Sequence, residues 1–506
     1  MGLPQRPRSW DFIAHFTFHL ASLPLSANWY PGLTKRLDPG QPEFMKWTFP
    51  TLIALIPWFS TATEIPKPVL PAGVGVNIHF VRGHQRDLDL IAAAGFKFVR
   101  MDFGWASIER KKGQYDWSEY DGLLNNLDSR GLRAVLILDY SNPLYEEVVT
   151  SRGPVHGRVR RSVASPQHAE SVAAFARWAA ASVRHFRGRH VIWEIWNEPN
   201  IQFWSPHPDV RQYTRLALET CRAIRDAAPE ATVIGPASSG FPWSFLESFL
   251  KSGVLNYLDG VSVHPYRDYS RPPETAAADF ARLRALVDRY APPARRGKIP
   301  ILSGEWGYAT HRSGVSLQTQ AAFAARQQLA NLLQGVPLSI WYDWQNDGTD
   351  PNEREDNFGT VLPDLEPKPA YVAIRTLTHQ LGGFHIVKRV ALASKEDYVL
   401  LCANSAGARK LAAWMMGEPH PIEVGIQAEG TSRFGAMTSM GKRFTVHGAQ
   451  AELEIELGAA PVYVTLGDAV LEAGRHPRRK AAFGGHARTS GIRKGQRVLT
   501  EGAVAR

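Results

Sequence analysis

Between Gly73 and Gly383 the sequence alternates short apolar runs with longer amphipathic patterns, and this alternation restricts the possible fold more than any other feature. The apolar runs have the length of β-strands, and the segments between them repeat apolar residues with the period of an α-helix. Most helical patterns end in Gly or precede Pro, as helix ends commonly do. The predicted strands are residues 73–80, 97–103, 133–139, 191–197, 232–236, 260–265, 299–305 and 338–344. The predicted helices lie near residues 84–94, 117–129, 166–186, 209–227, 243–252, 275–290, 316–334 and 369–381.

Strands that alternate with helices in this way imply parallel strands joined by helical crossovers. Eight such units predict that residues 73–383 form an α/β fold, a (β/α)8 or TIM barrel. A doubly wound sheet would use fewer strands and would normally carry a phosphate-binding glycine loop, which this sequence lacks.

After residue 384 the apolar period changes from that of a helix to that of a strand. Between residues 451 and 457, for example, three glutamates alternate with three large apolar residues, which predicts one solvent-exposed face and one buried face. The predicted strands are residues 398–402, 410–415, 443–447, 451–457 and 461–466. Residues 384–468 therefore predict a small C-terminal antiparallel β-sandwich, to which residues 65–73 could add further strands.

Residues 45–62 have the composition of a secretory signal peptide: one basic residue, a mostly apolar run, and small residues at the expected cleavage position. The run is short and contains Pro, which argues against a stable transmembrane helix. We interpret Met45 as the true start and residues 1–44 as an upstream extension, and we expect a secreted or periplasmic protein. A membrane anchor or a buried hairpin is the alternative. Residues 63–72 are rich in Pro and predict an extended linker.

The net charge of +10 does not indicate a nucleic-acid groove, because most of it lies in one segment. Residues 469–506 carry nine Lys or Arg against two Glu, which predicts a basic, disordered tail. A weaker alternative is that this tail binds an anionic polymer or the cell envelope. The only two cysteines, Cys221 and Cys402, form neither a disulfide framework nor a zinc motif.

In a barrel of this type the carboxyl ends of the strands form the active face. Polar, titratable and aromatic residues occupy these ends: Asn77, His79, Arg100, Asp102, Trp105, Asp139, Tyr140, Asn197, Glu198, His264, Tyr266, Glu305, Trp306, Trp341, Tyr342, Asp343 and Trp344. A purely structural barrel would not need arginine, histidine and two glutamates at one mouth.

Glu198 and Glu305 end the fourth and seventh predicted strands, so the two carboxylates should face each other across the barrel. Two carboxyl groups about 5–5.5 Å apart suit retaining glycoside hydrolysis, and a wider gap suits inversion. In the retaining version, Glu305 attacks the anomeric carbon. Glu198 protonates the leaving oxygen and then deprotonates the incoming water.

Other residues at this mouth are expected to bind the substrate or to support the two glutamates. Arg100 and Tyr266 could keep Glu305 anionic, and Asn197 is placed to bond the sugar 2-hydroxyl. Trp341 or Trp344 could form the floor on which a sugar ring stacks.

His79, Trp105, His264 and Asp343 complete the predicted substrate-binding set. His264 is interpreted as an orienting hydrogen-bond donor, because no second His or Cys lies at metal-ligand spacing. We therefore predict neither a metal nor a cofactor, although the aspartates near Asp343 leave a calcium site conceivable. Since His79 and Arg100 are basic, an anionic sugar stays possible.

The sequence resembles the clan GH-A glycoside hydrolases in residues 196–199, Trp-Asn-Glu-Pro, followed by residues 304–307, Gly-Glu-Trp-Gly. Within that clan it most resembles family 39 and related cellulase-like bacterial enzymes. The supporting stretches are residues 98–105, 113–117, 264–266, 341–344 and 346–351. The last of these is similar to secreted hydrolases that trim bacterial exopolysaccharide. The resemblance implies Glu198 as acid/base, Glu305 as nucleophile, and retention of configuration.

The leading interpretation is a retaining O-glycosidase that cleaves an extracellular polysaccharide. An exo-acting β-xylosidase or uronidase-like enzyme is a second possibility, since loops set the sugar and the mode of attack. A non-catalytic carbohydrate-binding barrel is a third, but binding alone would need neither glutamate. The expected partner is a polysaccharide or oligosaccharide, with no nucleic acid, no stable membrane span and a monomer as the default.

Overall fold

The computed structural model describes residues 64–152, 159–427, 432–449, 452–467, 469–471 and 478–479. Its main feature is a closed barrel of eight parallel strands, in which the first strand pairs with both the second and the eighth. The barrel strands are Val74–Asn77, Phe98–Gly104, Arg133–Asp139, Ile192–Ile195, Thr232–Ser239, Gly260–His264, Ile301–Trp306 and Ser339–Trp341. The predicted (β/α)8 barrel is confirmed.

The helices lie within a few residues of their predicted positions. The eight long helices are Gln85–Ala93, Ser118–Asp128, Ala169–His185, Val210–Ala227, Trp243–Lys251, Ala277–Tyr290, Leu317–Leu333 and Pro369–Gln380. One-turn segments occur at Trp105–Ile108, Val254–Asn256, Pro273–Ala276, Pro293–Arg295 and Glu355–Asn357. The fourth long helix is capped by Asp209, whose side chain accepts hydrogen bonds from the backbone amides of Arg211 and Gln212.

The barrel interior changes from apolar to polar toward its active mouth. A cluster of buried side chains fills its lower part: Phe98, Val135, Ile192, Ile234, Leu302, Leu338 and Ile340. Because successive strand residues point to opposite faces, Arg100 and Glu194 share the inward parity of Phe98 and Ile192 and lie one layer higher. The sequence thus places charged groups directly above an apolar floor.

Residues 64–72, predicted as a linker, are ordered against this end of the barrel. Ile65 packs on the apolar floor, and the Glu64 amide donates to the Thr232 hydroxyl at 2.8 Å. The Leu70 amide donates to the Phe384 carbonyl at 2.9 Å. Residues 65–73 form no strand, so the possible contribution of this segment to the C-terminal sheet is wrong.

An unpredicted hairpin follows the third barrel strand. Val148–Arg152 pairs with Val159–Val163 in antiparallel register, with Val148 opposite Val163. Sequence analysis assigned neither a strand nor a helix to this segment. The hairpin stands beside the active mouth.

The C-terminal region is an antiparallel sheet with its own buried core, which confirms the predicted β class. Its strands are Phe384–Arg389, Asp397–Asn404, Arg409–Met415, His420–Gln427, Ser432–Thr438, Arg443–Ala449, Glu452–Leu457 and Val462–Gly467, with short additions at Val470–Leu471 and Arg478–Arg479. Side chains such as Leu411, Val424 and Leu453 meet in one apolar cluster inside the curved sheet. Trp414 and Tyr463 instead belong to the cluster shared with the barrel.

Several sequence predictions fall largely outside the described residues. The upstream extension at residues 1–44 and the signal peptide at residues 45–62 lie wholly outside them, as does most of the predicted tail at residues 469–506. Two described pieces of that tail nevertheless pair with the strand His420–Gln427, which differs from the expected disorder. Within the described chain, none of the helices combines the length and apolarity needed to cross a membrane.

Candidate active site

A cavity of about 560 Å³ opens at the carboxyl ends of the barrel strands. It is lined by Asn77, His79, Arg100, Asp102, Tyr140, Asn197, Glu198, Ile201, Gln202, Phe203, Ser239, Tyr266, Glu305, Tyr342, Arg354 and Glu355. This is the face where barrels of this architecture carry their active sites, and the size is within the range of small-ligand pockets.

Glu198 is held by an unusual backbone rather than by the strand itself. The fourth strand ends at Ile195, after which Trp196 and Glu198 adopt left-handed conformations with φ of 67° and 46°. Such values are uncommon for residues other than Gly and persist where the surroundings enforce them. The Glu198 amide donates to the Ala237 carbonyl of the fifth strand at 3.0 Å, which fixes this turn.

The two predicted catalytic carboxylates are close neighbours. Oxygens of Glu198 and Glu305 and a ring nitrogen of His264 all lie within 4.8 Å of one another. His264 Nδ1 is 2.9 Å from Glu198 Oε1 and 3.9 Å from Glu305 Oε2. Both carboxylates are largely buried but line the cavity, so a substrate placed there could reach either one.

Arg100 joins the polar residues beneath the cavity. Its Nε donates to Glu194 Oε2 at 2.7 Å, and its Nη1 donates to Glu305 Oε2 at 2.8 Å. Further contacts reach Asn77 Oδ1 at 3.1 Å and Asn197 Oδ1 at 2.9 Å. Burial lowers the pKa of Arg100, but the two carboxylates outweigh it and raise that pKa. The guanidinium therefore stays charged.

Glu305 accepts hydrogen bonds on both oxygens. Tyr266 donates its hydroxyl to Oε1 at 2.8 Å, while Arg100 occupies Oε2. Burial and the charge of Glu305 raise the pKa of Tyr266 well above its usual value, so the hydroxyl stays a donor. These two donors stabilise negative charge on Glu305.

The contacts of His264 determine which ring nitrogen carries its hydrogen. Arg100 Nη2 lies 3.3 Å from His264 Nε2, and a guanidinium can only donate. Nε2 is therefore the acceptor, and Nδ1 donates to Glu198. His264 thus orients Glu198 from a fully buried position behind the cavity wall.

Gly304 leaves the space that this network needs. A β-carbon at this position would lie 3.1 Å from Glu194 Oε1 and 3.3 Å from His264 Nε2. Any side chain would push against both groups, which explains why glycine precedes Glu305.

His79 and Asp343 form a second polar pair at the cavity edge. His79 Nε2 lies 3.5 Å from Asp343 Oδ2, which is fully buried. Burial lowers the pKa of His79, but Asp343 outweighs this and raises it to about 9. Burial raises the pKa of Asp343 to about 7, although His79 opposes that shift.

Among the residues that the structure describes, two groups of side chains have ligand atoms close enough to hold a metal ion. One is Glu198, His264 and Glu305, and the other is His79, Asp343 and Asp347. In the first, His264 already bonds Glu198 through Nδ1 and Arg100 through Nε2. In the second group, the ion pair between His79 and Asp343 explains why these two side chains lie close together. Neither arrangement requires a cation.

The structure brings most of the predicted site residues together. His79, Arg100, Asn197, Glu198, Tyr266 and Glu305 line the cavity, and His264 and Asp343 lie directly behind its wall. Asn197 accepts from Arg100 and donates its amide to the Tyr140 hydroxyl at 2.9 Å.

Three predicted substrate-binding tryptophans lie elsewhere. Trp105 is fully buried and stacks on Tyr145, because the chain turns into a short helix immediately after the second strand. Trp341 is fully buried, and Trp344 donates its ring nitrogen to Asp87 at 3.0 Å. The expected sugar-stacking floor of Trp341 or Trp344 is therefore wrong.

Tyr342 is the aromatic residue that the end of the eighth strand contributes to the cavity. Trp341 and Tyr342 are neighbours, so their side chains point to opposite faces of the strand and only one of them can face the cavity. The sequence did not show which of the two faces inward. Asn77, Asp102, Tyr140 and Tyr342 were recognised as strand-end residues but not selected as site residues.

The residues that sequence analysis missed entirely are Ile201, Gln202, Phe203, Ser239, Arg354 and Glu355. Ser239 ends the fifth strand, which the prediction stopped at residue 236. The others lie in loops or in the one-turn segment Glu355–Asn357, so no strand or helix period could place them at the cavity.

Comparisons with known proteins point to the glycoside hydrolases. The family model described as cellulase, glycosyl hydrolase family 5, matches residues 67–348. A β-xylosidase from Geobacillus stearothermophilus is 30% identical over 132 residues, which are 21% of this chain and 26% of that protein. The chain therefore matches only about a quarter of that curated relative.

Solved structures of glycoside hydrolases share the fold. A family 39 glycoside hydrolase from Bacteroides cellulosilyticus WH2 superposes with a TM-score of 0.64 at 23% identity, covering 79% of this chain and 81% of that one. A family 30 endoxylanase from Clostridium papyrosolvens C71 gives 0.57 at 11% identity, covering 81% and 98%. These likenesses concern the fold alone.

The family model spans more than half of the sequence, including both predicted catalytic glutamates. The resemblance to clan GH-A is confirmed. The chain belongs to the cellulase family of glycosyl hydrolases, family 5, within that clan.

Proposed function

We propose that this protein is a retaining O-glycoside hydrolase that cleaves an extracellular polysaccharide. The observation that carries the proposal is the pair of carboxylates, Glu198 and Glu305, whose oxygens lie within 4.8 Å in one cavity. A short gap of this kind suits a double displacement, because it leaves no room for a water between nucleophile and sugar.

In the first step, Glu305 attacks the anomeric carbon, and the glycosidic bond breaks as Glu198 gives its proton to the leaving oxygen. In the second step, Glu198 removes a proton from water, and the resulting hydroxide displaces Glu305 from the anomeric carbon. Arg100 and Tyr266 contact Glu305 and stabilise the carboxylate before attack and again on release. Asn197 is placed beside Glu198 to bond the sugar 2-hydroxyl.

A non-catalytic carbohydrate-binding barrel is less consistent with this site. A binding pocket needs neither a carboxylate held by two donors nor a second one oriented by a buried histidine. Burying such groups is costly unless they are fully partnered, so the network favours catalysis over simple recognition.

The substrate and the location are also proposals. The β-xylosidase relative and the endoxylanase of similar fold make xylose-containing glycans the first substrates to try. Secretion or export to the periplasm rests on the signal-like composition of residues 45–62.

The decisive experiment compares wild type with Glu305→Gln on a panel of aryl glycosides and polysaccharides, with β-xyloside and xylan tested first. We expect kcat to fall by about 10⁴-fold or more while substrate binding is kept. Glu366→Gln, which changes an exposed glutamate outside the cavity, is the matched control. An unchanged kcat in Glu305→Gln would refute the proposed role.

Retention is tested on the product itself. Proton NMR of the first sugar released should show the same anomer as the substrate. For Glu198→Ala, added azide should restore turnover on an activated substrate and give a glycosyl azide of retained configuration, because azide needs no general base. A first product of opposite configuration would exclude the double displacement.

A further inference from the structure

One of the four carboxylates that line the active-site cavity has no basic partner, and it is Asp102. The other three form ion pairs: Glu198 with His264, Glu305 with Arg100, and Glu355 with Arg354. Among the residues that the structure describes, Asp102 takes part in no ion pair, although its side chain is exposed at the cavity wall. The protein therefore leaves one negative group of the cavity without a counter-charge.

The three basic side chains among the lining residues all face carboxylates of the protein. Arg100 lies between Glu194 and Glu305, at 2.7 Å and 2.8 Å. His79 Nε2 lies 3.5 Å from Asp343 Oδ2. The third is the arginine paired above on the loop after the eighth strand. An anionic sugar, which the basic residues left possible in the sequence, would therefore meet no unpaired cation at this wall.

A second carboxyl group, Asp139, lies behind Asp102. The second and third strands pair in parallel, with Asp102 opposite Ile137 and Gly104 opposite Asp139. Asp139 is fully buried, and within the described chain neither of its oxygens has a hydrogen-bond donor in reach. Its polar neighbour is the carboxylate of Asp102. Two carboxyl groups can share a hydrogen bond only when one of them is protonated.

Asp139 is the protonated member of this pair. Burial first, and the charge of Asp102 second, raise the pKa of Asp139 well above its usual value. Its hydroxyl therefore donates to Asp102, and an accepted hydrogen bond favours the ionised form of the acceptor. Asp102 is thus held from behind as an anion, while its exposed side meets the cavity.

The position of Asp102 places this anion at the level of a bound sugar. Asp102 and Arg100 share the inward parity of the second strand, and two strand residues span about 7 Å. Arg100 lies beneath the cavity and contacts both Glu305 and Asn197. Asp102 stands one layer above it, so a sugar bound at Glu305 lies beside the Asp102 carboxylate.

We infer that the substrate carries a free amino group, which Asp102 binds as an ammonium ion. The inference rests on the proposed glycosidase function and deepens it by naming a substrate class, glycans with amino sugars that are not acetylated. An ammonium group supplies both the missing charge and a strong hydrogen-bond donor. A hydroxyl supplies only a donor, and an acetamide supplies a donor without charge together with additional bulk.

The test compares three tetrasaccharides that share one backbone and one linkage. Their units are glucosamine, N-acetylglucosamine or glucose, so only one substituent differs, and the corresponding galactose set is the second series. Binding is measured by titration calorimetry with Glu305→Gln, which does not turn the ligand over. This variant makes the cavity less negative, so it cannot create a preference for a cation.

We expect the amino tetrasaccharide to bind about ten-fold or more tightly than its acetylated and neutral counterparts in at least one series. Added salt should reduce this preference, because it screens an ion pair at an exposed carboxylate. General attraction of a cationic glycan is not expected from a chain whose net charge is +10. Absence of the preference in both series would overturn the inference.

Asp102→Asn, made in the same Glu305→Gln protein, removes the charge and keeps the shape. Its amide oxygen can still accept from Asp139, so the local fold is preserved. Affinity for the amino tetrasaccharide should fall by about ten-fold or more, while affinity for the other two stays unchanged. Asp364→Asn, at an exposed aspartate outside the cavity, is the matched control. Equal weakening of all three ligands, or of none, would contradict recognition of an amine by Asp102.

Asp139→Asn tests the protonated state of the buried partner. The amide is neutral and still donates to Asp102, so the preference for the amino tetrasaccharide should equal that of the parent protein. Melting temperatures establish first that the variants are folded. A preference reduced as far as in Asp102→Asn would show that Asp139 carries the charge, and would overturn the assignment to Asp102.

Failure of the proposed function gives a different result. If wild type cleaves acetylated or neutral glycans at least as fast as amino glycans, and Asp102→Asn changes none of these rates, the glycosidase function holds and the inference is wrong. If wild type cleaves none of them, but the amino tetrasaccharide binds preferentially through Asp102, the ligand class holds and the glycosidase function is wrong.

Discussion

Arg100 is the buried cation that pairs with two carboxylates of the site, Glu194 and Glu305. Its guanidinium is almost completely buried, yet its donors reach Glu194, Glu305, Asn77 and Asn197. A buried charge is tolerated only when it is paired and hydrogen-bonded, and here one arginine compensates two carboxylates. The same contacts that stabilise the fold therefore set the charge of the proposed nucleophile.

Removing Arg100 should cost stability as well as activity. Arg100→Met leaves Glu194 and Glu305 buried without a counter-charge, which we expect to lower the free energy of unfolding by about 3–5 kcal/mol. Urea unfolding followed by fluorescence measures this change, with Arg211→Met on the helix surface as control.

The double variant Arg100→Met/Glu194→Gln separates the two effects. Neutralising Glu194 removes one uncompensated charge, so part of the stability should return. Activity should not return, because Glu305 still lacks the charged donor that Arg100 supplied. Recovery of kcat in the double variant would show that Arg100 acts on the fold alone.

The pair His79 and Asp343 predicts a pH-dependent stability. Their pKa values in the folded protein, about 9 and about 7, both lie above the ordinary values. The folded chain thus holds protons that the unfolded chain releases from about pH 4 for aspartate and about pH 6.5 for histidine. The pair therefore contributes most stability at acidic pH and loses that contribution as pH rises to about 9.

Melting temperatures of wild type and of His79→Gln/Asp343→Asn, measured from pH 4 to pH 9 in the same buffers, test this expectation. The advantage of wild type over the double variant should shrink steadily as the pH rises. A difference that stays constant, or that grows with pH, would contradict the assigned shifts.

At the scale of elements, local pattern predicted the barrel well and the loops poorly. The barrel strands are buried on both faces, so they appear as continuous apolar runs bounded by amphipathic helices. The strands His420–Gln427 and Ser432–Thr438 were missed, because each mixes Gly and charged residues with apolar ones. Their pairing depends on neighbouring strands rather than on their own sequence.

The same distinction explains which site residues could be predicted. Glu305 lies in the seventh strand and Glu198 lies three residues after the end of the fourth, so the order of strands in the barrel was enough to predict that both are at the active mouth. Phe203 and Arg354 lie in loops whose paths depend on tertiary contacts. Trp341 was selected in place of Tyr342 because the sequence did not show which strand parity faces the cavity. Sequence therefore predicted the chemistry of the site better than the shape of its cavity.

The loop that carries Glu198 ends at the cap of the fourth long helix. Asp209→Ala removes the side-chain oxygen that accepts from the amides of Arg211 and Gln212, and we expect a loss of about 1 kcal/mol in the free energy of unfolding. Asp209→Asn keeps an acceptor oxygen and should behave almost like wild type. Urea unfolding of both variants measures the difference, and equal losses would show that charge rather than capping stabilises the helix.

At the scale of the whole molecule, one buried cluster joins the barrel to the C-terminal sheet. Arg326 donates to both oxygens of Glu274 at 2.7 Å, and Trp414 of the sheet donates to the same carboxylate at 2.7 Å. Arg326 also bonds the Ala459 carbonyl at 3.1 Å. The sheet is thus held by a fully desolvated, bidentate ion pair rather than by apolar contact alone.

This cluster is linked to the nucleophile through a single helix. Arg326 is followed by Gln327, whose side chain donates to the Trp306 carbonyl at 3.3 Å, one residue after Glu305. The helix Leu317–Leu333 therefore contacts the sheet on one side and the end of the seventh strand on the other. A disturbance at the sheet should reach the active site through this helix.

Glu274→Gln tests that linkage. It leaves Arg326 buried without a counter-charge, so we expect the free energy of unfolding to fall by about 3–5 kcal/mol. Calorimetry should show a lower melting temperature, and thermal loss of activity should shift with it, because sheet and seventh strand share one helix. Glu247→Gln, at a surface glutamate, is the control. If activity persisted to the wild-type temperature while the sheet melted early, the C-terminal sheet would be a separate domain with no part in holding Glu305.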